Sequence, residues 1–142
     1  MTDTRTLILE REMPFAPEKI WRALTEGTLI KEWLMDNDFQ PIVGHKFNLR
    51  ARPVPNWNGV IDGDVRIVKP NKKLSYSWIA MGLESVVVWT LTRTATGTLL
   101  RLEHSGFRAD QEHAFKGANY GWQKFLGQLE HAVAHLQGEE PQ

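Results

Sequence analysis

The chain has 142 residues, no cysteine, and 17 Lys plus Arg set against 17 Asp plus Glu. That length suits one domain able to bury a sizeable core, while the lack of cysteine excludes disulfides, thiolate chemistry and cysteine-ligated zinc. The balanced charge removes the overall attraction that drives nucleic-acid and anionic-membrane binding.

Residues 1–10 lack the basic-then-apolar pattern of a signal peptide, and no apolar run approaches the ~20 residues of a bilayer span. A cytoplasmic protein is expected. Thr4 to Met13 alternates, with Leu7, Leu9 and Met13 on one face and Ile8, Glu10 and Glu12 on the other, which predicts a first strand. From Ala16 the spacing turns helical, with Pro17 in the first turn and Ile20, Trp21 and Leu24 as an apolar stripe. Thr25-Glu26-Gly27 breaks this helix, and Thr28 can cap a second short one bearing Leu29, Ile30, Trp33 and Leu34.

Strands follow. Val43 to Arg50 alternates with Phe47 and Leu49 together, and residues 53–59 (PVPNWNG) read as a loop or edge. Val60–Val68 and Leu74–Ile79 are two more strands, joined by the turn Lys69-Pro70-Asn71-Lys72-Lys73. Ser85–Thr94 and Thr98–His104 form a hairpin, with Val87, Trp89 and Leu91 sharing one face and Leu100, Leu102 and His104 sharing another. After Ser105-Gly106-Phe107 the period is helical to Leu136, carried by Trp122, Phe125, Leu126, Leu129, Val133 and Leu136. Residues 138–142 (GEEPQ) read as a frayed tail. The expectation is a single domain over 1–142 with an ordered core of about 5–137, of α+β class. A curved antiparallel sheet of about six to seven strands needs its apolar face covered, and the last helix is the element long enough to do so.

The run Ala16-Pro17-Glu18-Lys19-Ile20-Trp21-Arg22-Ala23-Leu24-Thr25, followed by Trp33, resembles the opening of the START-like (SRPBCC) superfamily with its helix-grip fold. More narrowly, the chain is similar to bacterial homologues of the C-terminal domain of the heat-shock-protein-90 ATPase activator. Gly63-Asp64-Val65-Arg66-Ile67, Lys73-Leu74-Ser75-Tyr76-Ser77-Trp78, the hairpin around Gly97, and Gly121-Trp122-Gln123-Lys124-Phe125-Leu126 carry the likeness onward. The resemblance implies hydrophobic-ligand carriers, polyketide cyclases or co-chaperone modules as relatives, and fold alone does not choose among them.

The residues expected around a space between sheet and helix are Trp33, Phe47, Trp78, Trp89, Leu102, His104, Phe107, Tyr120, Trp122 and Phe125. They either line a pocket for a flat or extended apolar ligand, oriented by Tyr120 or His104, or simply fill a core. His104 as a general base lacks a visible nucleophile or acid partner, so a satisfied core histidine is the simpler reading. His131 and His135 share a helix face but lack a third ligand, and the pairs Asp36/Asp38 and Asp62/Asp64 read as solvated turns, so no metal and no cofactor are expected. Gly117, Gly121 and Gly127 interrupt the last helix; either Gly117 and Gly121 loosen its N-terminal half to gate a cavity, or the helix backbone approaches the sheet closely. The expected function is binding of a small apolar or aromatic molecule without catalysis. The alternatives are a protein-interaction module with a chaperone or other protein, and thirdly a cyclase- or hydrolase-type enzyme on polyketide-like substrates. No nucleic-acid or membrane partner is expected, and the protein would be a monomer, or a homodimer through a strand edge.

Overall fold

The computed structural model describes residues 4–53, 55 and 57–136. The tail at 138–142 and parts of the 53–59 loop, at Val54 and Asn56, lie outside the described residues. Strand β1 (Thr4–Met13) is followed by helices α1 (Pro17–Thr25) and α2 (Gly27–Trp33). Strands β2 (Asp36–Asn37), β3 (Lys46–Arg50), β4 (Val60–Lys69), β5 (Lys73–Ala80), β6 (Leu83–Arg93) and β7 (Thr98–Arg108) come next. A 3₁₀ turn (Ala109–Gln111) then leads into helix α3 (Glu112–Ala134). The seven strands form one antiparallel sheet in the order β1-β7-β6-β5-β4-β3-β2. Among the described residues no helix is long and apolar enough to cross a membrane.

The period-two pattern sorts the sheet into two faces. Val87, Trp89 and Leu91 of β6 are buried, as are Leu100, Leu102 and His104 of β7, and they face the helices. Val87 lies opposite His104 and Trp89 opposite Leu102, so the hairpin register stacks these inward side chains in rows. On the other face Glu10 binds Arg101, and Glu12 accepts from Thr94 and Thr96. These are solvent-side contacts, each worth little.

Two sequence expectations shift. Thr28 does not cap α2, because that helix starts a residue earlier, at Gly27, with Glu26 as the only residue between the two helices. Glu26 leaves helical geometry (φ −90°, ψ 122°) while its carboxylate takes a two-pronged grip from Arg22 at 2.6 and 2.9 Å. The bond fixes a sharp corner, from which the Trp33 indole reaches back to the Ala23 carbonyl at 2.8 Å. Strand β7 also does not stop at His104. Gly106, at φ +106°, is an extra residue between the partners of Arg5 and Thr6, and this bulge lets the strand run on to Arg108. A Cβ at Gly106 would sit 2.9 Å from the Glu84 carbonyl oxygen, so glycine is needed there for space as well as for its backbone angle.

The two halves of α3 differ. Its buried side chains are Trp122, at the middle of the helix, and Leu126, Leu129, Ala132 and Val133 beyond it, and this part packs on the core with α1 and α2. At the β1 edge, Arg5–Glu112 and Arg11–Glu130 ion pairs, both at 2.6 Å, tie strand to helix. The N-terminal half buries no side chain fully.

Candidate functional site

What lies beneath that N-terminal half is a cavity of about 760 Å³. Ile61 of β4, Trp78 and Ala80 of β5, Leu83 of β6 and His104 of β7 form its floor. Met35, Ala51 and Trp57 close one side, and Trp122 and Phe125 of α3 the other. Asp110, Gln111 and His113 are the polar groups where it meets solvent.

The roof is made of Ala114, Gly117, Ala118 and Gly121, spaced i, i+3, i+4 and i+7 so that all four fall on one helix face. A Cβ built on Gly117 would meet nothing within 4 Å, and one on Gly121 only the Phe125 ring at 3.9 Å. Close approach to the sheet is therefore not what puts glycine there. Each glycine costs about 1 kcal/mol against alanine in a helix interior, and what it leaves in return is room. Gly117→Ala and Gly121→Ala are each expected to raise stability by roughly 0.5–1 kcal/mol. Urea denaturation checks this, and a loss of stability would mean that the roof packs more tightly than it does here.

At the rim, the β5–β6 turn carries a second conformational cost. Met81 has φ +52° and Gly82 φ +80°, the left-handed pair of a two-residue hairpin turn in which Asn-Gly is favoured. Met81 is 70% exposed yet lines the cavity, so an apolar side chain stands over the opening in a backbone conformation that suits it poorly. Met81→Asn is expected to stabilise the fold by about 0.5–1 kcal/mol, read as a higher midpoint in urea.

His104 joins the floor to the roof. The Trp122 indole, which can only donate, gives its proton to His104 Nδ1 at 2.9 Å. The ring proton therefore sits on Nε2, which donates to Ser85 Oγ at 2.8 Å, and Ser85 donates in turn to the Trp78 carbonyl at 2.7 Å. Every member of this chain is satisfied, and among the described residues no buried side-chain nitrogen or oxygen lacks a partner. Burial pushes the His104 pKa down to about 4. A second ring proton would also point straight at the indole N–H. His104 thus offers a ligand the edge of a neutral ring, with no lone pair free to take a proton.

Of the residues singled out from sequence, Trp78, His104, Trp122 and Phe125 line the cavity. Trp33, Trp89, Phe107, Phe47 and Leu102 are buried core. Trp33 and Trp122 both meet Trp89 edge-on, at 5.9 and 5.5 Å, and the Trp89 indole donates to the Tyr76 hydroxyl at 2.9 Å. Tyr120 is a correction: it stands 76% exposed and does not line the cavity, because its place on α3 lies off the 114-117-118-121 face. Trp57 and the small-residue roof are what sequence reasoning missed. The roof had a signal in its helical spacing, whereas Trp57 sits among breakers that carry no period.

The remaining candidates are held elsewhere. The His131 and His135 rings stack at 4.1 Å near the far end of α3, with His135 Nδ1 bonded to the His131 carbonyl. Asp38 and Asp62 both bind Asn48, and Asp64 binds Ser77. Asp62 and Asp64 lie in β4 rather than in a turn. Among the described residues no group of three metal-ligating side chains converges.

A seven-stranded antiparallel sheet gripping one long C-terminal helix, with a cavity between them, defines a helix-grip domain of the START-like type. The family model for activator of Hsp90 ATPase homolog 1-like protein matches residues 14–134. The chain belongs to that family. It is 50% identical to protein MLL2253 from Mesorhizobium loti, whose crystal structure superposes with a TM-score of 0.87 over 94% of this chain and 99% of that one. It is similar to CalU16 from Micromonospora echinospora (25% identity, TM-score 0.77, 93% and 78% covered). Protein BH1534 from Bacillus halodurans shares its fold (24% identity, TM-score 0.79, 94% and 99% covered). A search of curated proteins finds no match.

Proposed function

We propose that the chain holds a small hydrophobic or aromatic molecule in the cavity beneath the N-terminal half of α3, without transforming it. The observation that carries this reading is the roof, where two glycines sit in a helix interior that neither backbone angle nor close approach demands. Around the space they leave stand Trp57, Trp78, Trp122 and Phe125, the apolar, aromatic wall that ligand cavities use. His104, the one histidine in the floor, is spent on holding Trp122 and Ser85 in place.

Native mass spectrometry of protein from its own host, sprayed under gentle conditions, tests the proposal. A co-purifying mass that dissociates on activation supports it and gives the ligand class. A bare protein peak, together with no quenching of tryptophan fluorescence by a panel of polycyclic aromatic compounds, would overturn it. The family to which the chain belongs supports a second reading, a protein-interaction module. In that case the cavity would stay empty and a chaperone complex would be captured instead.

A further inference from the structure

We infer that the cavity selects an uncharged, planar ligand carrying a hydrogen-bond acceptor, such as an aromatic ketone, and that the Trp78 indole N–H is the group that reads the acceptor. This rests on the ligand-binding reading above. The indoles of Trp33, Trp57, Trp89 and Trp122 are all committed, to Ala23, Val60, Tyr76 and His104 respectively. Trp78 makes no such bond among the described residues, although it packs against His104 and Trp122 at 5.6 and 5.1 Å on the helix side of the sheet. No buried side-chain nitrogen there is left without a partner, so the Trp78 N–H is in contact with open space, and Trp78 lines the cavity. It is a donor awaiting an acceptor in an otherwise apolar wall.

Charge sets the other half of the selection. No lysine or arginine lines the cavity among the described residues, and the one carboxylate at its mouth, Asp110, is paired with Arg108 at 3.2 Å. A carboxylate-bearing ligand entering here would lose its water and find no cation, which apolar surroundings penalise heavily. A fatty acid is therefore a poor fit, and a neutral polycycle a good one.

The test compares three probes of one shape at pH 8: xanthone, xanthene (which lacks the carbonyl) and xanthone-2-carboxylate. Binding is read by calorimetry, and the Trp78 indole proton by NMR. Xanthone is expected to bind about tenfold tighter than xanthene and tighter still than the carboxylate, the scale of one hydrogen bond made in a dry site. It alone should shift the Trp78 indole proton downfield. In Trp78→Phe, which keeps an aromatic wall but removes the donor, the preference for xanthone over xanthene should fall to about twofold or less. Equal binding of xanthone and xanthene by the native protein, or binding of the carboxylate as tight as that of xanthone, overturns the inference while leaving ligand binding intact. Failure of all three probes to bind overturns this inference, and the ligand-binding reading then stands or falls on the co-purification and quenching test above.

Discussion

His104→Leu is expected to cost about 2–3 kcal/mol of stability, because it leaves the buried Trp122 indole N–H with no acceptor while roughly preserving volume. The effect should be non-additive with Trp122→Phe, since each change removes the same bond, and a double-mutant cycle in urea would expose that coupling. A loss below about 0.5 kcal/mol would mean that the indole finds another acceptor, and that the chain through Ser85 to Trp78 is incidental.

The same residue sets a pH signature. Its pKa is lowered from the usual 6.5 to about 4 in the folded protein, so below pH 6.5 the unfolded chain takes up a proton that the folded chain refuses. The stability attached to this group is fully present above pH 6.5 and is lost as pH falls from there towards 4. It amounts to about 3 kcal/mol at most. Carboxylates add their own slopes at the acid end, so the useful quantity is the difference between native protein and His104→Leu, whose stabilities should converge across that interval. Parallel curves would show that His104 carries its proton in the folded state.

The second large effect concerns the roof. Ala118→Leu with Gly121→Leu puts branched side chains into the space that a ligand would occupy, on a helix that prefers leucine to glycine. Affinity for any cavity ligand is expected to fall by about 10- to 100-fold, the price of overpacking a filled site. The melting temperature of the unliganded protein should hold or rise. Unchanged affinity in a folded variant would place the bound molecule elsewhere on the surface. Loss of folding would instead show that the roof has no space to give, which contradicts the geometry at Gly117 and Gly121.

How much of this was legible in the sequence depends on periodicity. Six of the seven strands and the long helix were visible because burial on one face writes itself as alternation, or as three- and four-residue steps; β2, at two residues, is too short to show a period. Gly106 misled for a physical reason: a glycine between polar and aromatic residues looks like a terminator, yet a bulge uses the same residue to carry a strand through a bend. Among the site residues, aromatic type alone could not separate Trp78 and Trp122, which border the cavity, from Trp33 and Trp89, which fill the core. That distinction lies in tertiary packing. Tyr120 is aromatic and lies on α3, but it falls off the face that meets the cavity, which the small residues Ala114, Gly117, Ala118 and Gly121 mark. His104 could be placed on the inner face from alternation, but its indole and hydroxyl partners are 18 and 19 residues away and no local pattern announces them.

The unequal anchoring of α3 has a consequence for how a molecule could enter. The segment from Glu112 to Gly121 contains two glycines and buries no side chain fully; it is held to the sheet by Arg5–Glu112 and by Phe115 against Phe107 and otherwise spans the cavity, while Trp122 to Val133 is locked into the core. Opening free energy should therefore rise along a single continuous helix. In a hydrogen–deuterium experiment the amides of the first two turns should exchange through local fraying, and those after Trp122 only through global unfolding. The roof would then be its own door, hinged where the buried tryptophan begins. Access would require neither a separate lid nor any movement of the sheet.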